Sequence, residues 1–151
     1  MPPARRPTPY PAALDDCVTV CRALLKERSP QEIVVGGASA GGNVVAALLL
    51  RARDEELPLP AAALLLSPEL DLTESGDFSP GLPPTLLVSG TQDLFLSDAV
   101  RMHRALRAAG IPADLHVFEA APHGLLPPGA PEDEQLLQEI HHFIETDCPA
   151  P

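Results

Sequence analysis

The apolar residues of the chain follow two patterns, one typical of helices and one typical of buried strands. Helical spacing predicts helices over residues 12–27, 40–53 and 134–145, and a further helix between Ser97, which can cap it, and Gly110. Short runs that are mainly apolar predict four strands, over residues 32–35, 61–66, 85–89 and 115–118. Because such strands are connected through helices, we expect an α/β fold with a parallel sheet covered on both faces.

The length of the chain and the placement of its prolines favour a single domain. There are 151 residues, with no internal repeat and no stretch that reads as an interdomain linker. The 19 prolines lie mainly near the two ends and between the apolar runs. We therefore predict a flexible, proline-rich segment over residues 1–10, a single domain over residues 11–146 and a loose tail over residues 147–151.

The net charge and the cysteines indicate which partners and which cellular compartment to expect. Twenty-one acidic residues against ten basic ones give a net charge of −11, which argues against nucleic acid or an anionic membrane surface as a partner. The start of the chain lacks the apolar segment of a secretory signal, and the longest apolar run, residues 44–50, is too short to span a bilayer. Three cysteines without a framework spacing indicate free thiols. We expect a cytoplasmic protein.

A candidate nucleophile lies between the first predicted strand and the helix that follows it. The sequence there is Gly37-Ala38-Ser39-Ala40-Gly41, the G-x-S-x-G pattern that holds a serine on a strained turn above a sheet. We expect crowding to require that Gly37 and Gly41 lack a Cβ, and the amide of Ala40 to donate to the developing oxyanion. The alternatives are a glycine-rich turn without chemistry and a phosphate cradle.

A histidine and an aspartate follow other strands of the same sheet. His123, between Pro122 and Gly124, comes just after the fourth predicted strand and is the candidate base. Asp93 comes just after the third strand and is the candidate acid, with Asp71, after the second strand, as its competitor. Because the carboxyl ends of parallel strands share one edge, these side chains can meet Ser39 there.

The remaining candidates have simpler explanations. Asp98 suits the first turn of a helix, where it stabilises the helix dipole. The other four histidines lie within predicted helices or a strand and are better explained by packing: His103, His116, His141 and His142. The pairs Cys17–Cys21 and His141–His142 lack further ligands at short spacing, so we expect no metal and no cofactor.

Four stretches together resemble the bacterial hormone-sensitive-lipase-like esterase family, an α/β-hydrolase family. They are GGASAGGN at residues 36–43, SPELDLT at 67–73, GTQDLFLSD at 90–98 and the region from LHVFE at 115–119 to His123-Gly124, the last two being especially similar to lactone-hydrolase-like members. The resemblance runs from residue 10 to about residue 145. It implies a carboxylesterase that forms an acyl-enzyme, with catalytic roles on Ser39, Asp93 and His123.

The chain departs from this family in three ways. Ala38 stands where the family usually has Asp, the family's upstream His-Gly-Gly oxyanion loop is missing, and residues 72–84 are too few to contribute a cap. We therefore expect a minimal α/β-hydrolase fold, the carboxyl-terminal half with about four parallel strands flanked by helices. With Ala40 as its only predicted oxyanion donor, we expect weak activity on short-chain or otherwise accessible esters, with lactones as a further option.

Two further expectations follow from the missing half. The strand at residues 32–35 would have a free edge, so we expect a homo-oligomer formed through that edge or through the neighbouring sheet face. A different class of function is also open, in which the chain is a non-catalytic remnant that serves as an association module.

Overall fold

The computed structural model describes residues 11–70, 81–124 and 129–147. They form four helices and four strands in the order α1 (Ala12–Leu24), β1 (Val34–Ala38), α2 (Ala40–Asp54), β2 (Ala62–Leu66), β3 (Thr85–Gln92), α3 (Leu96–Ala108), β4 (Ala113–Pro122) and α4 (Pro131–Asp147), with a short 3-10 turn, Pro30–Glu32, before β1. None of these helices combines the length and the apolar character needed to cross a membrane. The predicted end segments are residues 1–10 and 147–151. Residues 1–10 and 148–151 lie outside the described residues, and Asp147 is the last residue of α4.

The four strands form one parallel sheet in the order β1-β2-β3-β4, which confirms the predicted α/β fold with four parallel strands. The register pairs Ala38 with Leu66, Leu66 with Val88 and Gly90 with Phe118. The carboxyl ends of the strands therefore share one edge, as the sequence predicted.

Apolar side chains on the two faces of the sheet pack against different helices. On one face, Leu65 and Leu87 lie in a buried cluster with residues of α2 and α3. On the other face, Leu86 and Val88 pack against Leu136 and Phe143 of α4. Two-sided cover is what allows β2 to be apolar throughout and the first six residues of β3 to be buried.

Helix α1 packs on α2 rather than directly over the middle of the sheet. Leu14, Val18 and Cys21 of α1 form a buried cluster with Leu48 of α2. Ion pairs join the same two helices, from Arg22 to Glu55 just beyond α2 and from Arg51 to Asp15.

The first strand differs from the prediction in position and in burial. It spans Val34–Ala38 rather than residues 32–35, because Glu32 closes the 3-10 turn with a hydrogen bond from the Ser29 amide. It was also expected to be buried, and this was wrong. Its residues are alternately exposed and half-buried, because β1 is the edge strand of the sheet that the described residues form.

The predicted cap of α3 was also wrong. The helix begins at Leu96, so Ser97 lies inside its first turn and makes no cap hydrogen bond. The chain enters the helix through Asp93 instead, whose carbonyl oxygen accepts from the Leu96 amide and whose side chain accepts from the Phe95 amide.

Candidate active site

Ser39 occupies a strained turn between β1 and α2. Its φ of 54° and ψ of −124° lie in a region that residues with a side chain rarely adopt. Backbone hydrogen bonds hold it there, because its amide donates to the Leu66 carbonyl and its carbonyl accepts from the amides of Gly42 and Glu69. Ser39 is the single residue between the last residue of β1, Ala38, and the first residue of α2, Ala40.

Of the two glycines predicted to be required around Ser39, the structure requires one. A Cβ on Gly37 would lie 2.2 Å from the Gly41 carbonyl oxygen, so Gly37 is required as predicted. A Cβ on Gly41 would meet nothing within 4 Å, so its predicted requirement was wrong. Gly42 is the crowded position instead, because a Cβ there would lie 2.8 Å from the Cβ of Pro68. The loop after β2 thus presses directly on the turn.

His123 reaches this edge of the sheet because β3 and β4 approach each other closely. A Cβ on Gly90 would lie 2.0 Å from the Ala121 carbonyl oxygen, so only glycine fits there. The pairing is irregular between Gly90 and Gln92, and Ala120 has a φ of 59°. β4 therefore extends to Pro122, four residues beyond its predicted end, and places His123 immediately after it.

The three candidate residues form one continuous chain of hydrogen bonds. Ser39 Oγ lies 2.9 Å from His123 Nε2, and His123 Nδ1 lies 3.0 Å from Asp93 Oδ1. The tautomer that satisfies both contacts carries its proton on Nδ1, which donates to the carboxylate, and leaves Nε2 to accept from the serine. The Phe95 ring meets the imidazole edge-on, with centroids 5.0 Å apart.

The Asp93 carboxylate is completely buried but well supplied with donors. It accepts from the Phe95 amide at Oδ1, from the Ser89 hydroxyl at Oδ2 at 2.8 Å, and from the Ser67 hydroxyl. Burial by itself raises the pKa of Asp93, but the hydrogen bonds from Phe95, Ser67, Ser89 and His123 outweigh burial and hold the pKa below its ordinary value of 3.8. The carboxylate is therefore ionised at neutral pH.

The other candidates lie apart from this chain of contacts. Asp71 lies outside the described residues. Asp98 accepts from Arg101 and from the Leu70 amide, and His103 contacts the Ala113 carbonyl oxygen. Ala40 is the first residue of α2, so its amide is among those that have no partner within the helix.

The remaining histidines, together with Cys17 and Cys21, form no ligand cluster among the described residues. His116 lies 3.6 Å from Glu139, and His141 and His142 are exposed on α4. In residues 11–70, 81–124 and 129–147, no three His, Cys, Asp or Glu side chains are grouped so as to hold a metal ion.

Sequence reasoning missed three residues that contact the candidate chain. Ser67 and Ser89 hydrogen-bond the carboxylate, and Phe95 contributes both its amide and its ring. A signal for Ser89 exists in the sequence, since it is a polar residue at the end of a run that is otherwise apolar. Ser67, directly after the apolar run 61–66, carries the same signal, but neither position indicates where the hydroxyl points. Phe95 carries no such signal, because its role depends on backbone direction.

A comparison with protein families matches most of the chain to one family model. The family model described as alpha/beta hydrolase fold matches residues 7–79 and 72–127. The chain belongs to the alpha/beta hydrolase fold family. The two matched segments of this alpha/beta hydrolase overlap in residues 72–79, which come between β2 and β3 in the sequence.

Relatives and solved structures that resemble this chain include an acetyl-hydrolase, esterases and a hormone-sensitive lipase. An acetyl-hydrolase of Streptomyces hygroscopicus is 29% identical over 94% of this chain and 62% of its own length, and an esterase of Acinetobacter venetianus is 27% identical over 89% and 59%. A hormone-sensitive lipase from a metagenome library superposes with a TM-score of 0.85 at 30% identity, over 93% of this chain and 63% of that one. An esterase of the bacterial hormone-sensitive lipase family gives 0.83 at 30% identity, over 93% and 62%. The resemblance predicted from the sequence is confirmed.

The chain spans about 60% of the length of these curated relatives. The alignment with the acetyl-hydrolase extends over 188 residues, more than the 151 of this chain. That relative therefore carries residues inside the matched region that this alpha/beta hydrolase lacks.

Proposed function

We propose that the chain is a serine carboxylesterase that hydrolyses short-chain or otherwise accessible carboxylic esters through an acyl-enzyme intermediate. The observation that carries this proposal is the hydrogen-bonded chain from Ser39 through His123 to Asp93, with the serine on a strained turn. The esterase relatives support the same class of substrate.

In the first half of the proposed reaction, Ser39 Oγ attacks the ester carbonyl carbon. His123 Nε2, 2.9 Å away, accepts the hydroxyl proton as the new C–O bond forms. The carbonyl oxygen becomes an oxyanion. When the tetrahedral intermediate collapses, the C–O bond to the alcohol breaks, the alcohol oxygen takes the proton from His123, and the acyl group stays on Ser39.

In the second half, water replaces the alcohol. His123 removes a proton from a water molecule, whose oxygen attacks the acyl carbon, and returns the proton to Ser39 Oγ as the carboxylic acid leaves. Asp93 is ionised and accepts a hydrogen bond from His123 Nδ1. It therefore holds the tautomer that carries its proton on Nδ1, and it stabilises the imidazolium in both halves of the reaction.

We propose the amide of Ala40 as an oxyanion donor, because it follows the nucleophile at the first position of α2. The 151 residues contain no His-Gly-Gly sequence to add further amides. Loss of one oxyanion donor costs roughly 100- to 1000-fold in rate. We therefore propose that this chain is a slow esterase. A kcat on p-nitrophenyl acetate equal to that of the longer relatives would show that this part is wrong.

Lactones are a second proposed substrate class. A lactone is an internal ester, so the same attack opens its ring and leaves the alcohol attached to the acyl chain. Hydrolysis of a simple lactone that is lost in Ser39→Ala would support this extension, whereas a chain active on open esters alone would limit the proposal to them.

A fluorophosphonate probe with intact-mass detection tests the central proposal. We expect one adduct on the native chain, no adduct on Ser39→Ala and slower labelling of His123→Ala, because the probe needs an activated serine. Ser97→Ala, which removes an exposed hydroxyl of α3, is the control and should label normally. Absence of labelling on the native chain would favour the alternative, a non-catalytic association module.

We also propose that the chain associates with a second copy through β1. In the sheet formed by the described residues the strand has a free edge, Val34 is 36% exposed, and an open apolar groove of about 310 Å³ lies beside the strand between α1 and α2. Exposed strand edges and apolar surface favour self-association. Sedimentation velocity should show a dimer or larger species that Val34→Lys weakens and Val100→Lys, an equally exposed valine on α3, does not. A monodisperse monomer would contradict this proposal.

A further inference from the structure

Two buried serines converge on the Asp93 carboxylate from different strands. Ser89 lies in β3 and is 3% exposed, and Ser67 directly follows β2 and is 5% exposed. Ser89 Oγ donates to Oδ2 at 2.8 Å, and the Ser67 hydroxyl donates to the same carboxylate. The other two donors, the Phe95 amide and His123 Nδ1, both lie on Oδ1.

Ser67 reaches the carboxylate through an uncommon backbone conformation. Its φ of 44° is in the left-handed region, where a residue with a Cβ is disfavoured. Its amide donates to the Val88 carbonyl at 2.7 Å, which ties the residue to β3. A conformation of this kind persists only where the surrounding structure enforces it, and such positions cluster at functional sites.

The loop that Ser67 begins also contacts the nucleophile turn. The Glu69 amide donates to the Ser39 carbonyl oxygen, and Pro68 lies against Gly42. One short segment therefore contacts the turn that carries the proposed nucleophile and the carboxylate that orients the proposed base.

We propose that Ser67 and Ser89 are positioning residues, whose hydroxyls hold the Asp93 carboxylate ionised and turned so that one oxygen faces His123. This inference rests on the proposed esterase function and extends it, since neither serine touches the reacting atoms. Ser89 fixes the oxygen that His123 does not use, and Ser67 couples the carboxylate to the loop that supports Ser39.

The physical consequence is a change in proton affinity as well as in geometry. Removing a hydroxyl donor leaves the negative charge on Asp93 less stabilised, so the Asp93–His123 pair binds a proton at higher pH. Among the residues that the structure describes, His123 is the only titratable side chain hydrogen-bonded to this carboxylate. A protonated pair cannot accept the serine proton, so the acid limb of the pH–rate profile reports this change.

Two variants each remove one hydroxyl donor and keep the backbone conformation at that position. Ser89→Ala removes one donor from β3, and Ser67→Gly removes the other while tolerating the positive φ. Thr85→Val is the matched control, because Thr85 is also a buried hydroxyl residue of β3 whose Oγ1 is hydrogen-bonded, to the Pro83 carbonyl oxygen, away from the candidate site. Ser89→Thr keeps a hydroxyl and serves as the rescue variant.

We expect Ser89→Ala and Ser67→Gly each to lower kcat on p-nitrophenyl acetate by about 10-fold, the scale of one hydrogen bond to a charged group. KM should stay nearly constant, and the acid limb of kcat/KM should move upward by on the order of one pH unit. Thr85→Val should keep the native kcat and acid limb, and Ser89→Thr should recover most of the lost rate.

Failure of the positioning inference can be distinguished from failure of the proposed function. If native turnover depends on Ser39 but the acid limb and kcat are unchanged in both Ser89→Ala and Ser67→Gly, the positioning roles are wrong and the esterase proposal stands. If kcat falls equally in Thr85→Val, the effect reflects general destabilisation and the inference is overturned. If Ser39→Ala keeps native turnover or probe labelling, the proposed function itself is wrong.

Discussion

Strands β1 and β3 belong to the same sheet, and the sequence predicts both to be buried, but only β3 is. The first six residues of β3 are buried, because the strand has a neighbour on each side and helices over both faces. β1 has one neighbour, and its residues alternate between exposed and half-buried. An apolar sequence therefore indicates a strand that is suited to burial, whereas the neighbours that bury it are set by the rest of the fold.

The difference extends to the two halves of the candidate site. Asp93 lies at the end of β3, where its carboxylate is enclosed and fully hydrogen-bonded. Ser39 lies at the end of β1, where support comes from the loop after β2 through the Glu69 amide and Pro68. The acid is thus held by the packed interior, and the nucleophile is held by backbone contacts to the end of β2 and to the loop that follows it.

The largest expected effect comes from truncating one residue in each strand. Leu87→Ala in β3 should lower the free energy of unfolding by about 3 kcal/mol, because Leu87 is fully buried in a cluster with α2 and α3. Val34→Ala in β1 should cost less than about 0.5 kcal/mol, because this side chain is 36% exposed on an edge strand. Urea denaturation measures both, and equal losses would remove the contrast between the strands.

A smaller effect is expected from adding one methyl group near each half of the site. Gly90→Ala places a Cβ against the Ala121 carbonyl oxygen, so the strands must separate, at a cost of about 1–3 kcal/mol. The same shift moves His123 relative to Asp93 and should reduce turnover.

Gly41→Ala is the matched change beside the nucleophile. Its Cβ would enter open space within α2, and alanine favours helix by about 1 kcal/mol over glycine, so the variant should be as stable as the native chain or slightly more stable. Thermal unfolding of the two alanine variants compares them directly. A destabilised Gly41→Ala would restore the requirement that the sequence first suggested.

The smallest expected effect is on acid stability. Because the folded pKa of Asp93 lies below its ordinary value of 3.8, its ionised form stabilises the fold above that value, and this contribution is lost as the pH falls through the folded pKa. The stability advantage of the native chain over Asp93→Asn should therefore shrink below about pH 4. Urea titrations at several pH values measure it, with the exposed Asp16→Asn as control. An advantage that grows towards low pH would mean that the folded pKa of Asp93 is raised rather than lowered.

Much of the candidate site was accessible from sequence because each residue follows a strand. The G-x-S-x-G pattern marked Ser39, and the position of Asp93 and His123 after the third and fourth strands marked the other two. Parallel strands bring such ends together irrespective of their detailed packing. The donors Ser67 and Ser89 were missed, because a serine near the end of a strand gives no indication of where its hydroxyl points.

The errors share a physical origin. The start of β1 was placed too early because Glu32 is drawn into the Ser29 turn, and the glycine requirement was assigned to Gly41 because the contact of Gly42 with Pro68 lies 26 residues away along the chain. Ser97 does not cap α3, because the Asp93 carboxylate already accepts a hydrogen bond from the Phe95 amide where the helix begins.

The sequence by itself determined the alternation of strands and helices, the parallel sheet and the three chemical side chains at its carboxyl edge, because periodicity and strand-end position are local properties of the chain. Tertiary structure alone decided the hydrogen-bonded order of Ser39, His123 and Asp93, the donors that keep Asp93 ionised, and the exposure of β1. Those features depend on side-chain direction and on which elements become neighbours, and both are set only when residues distant in the chain pack together.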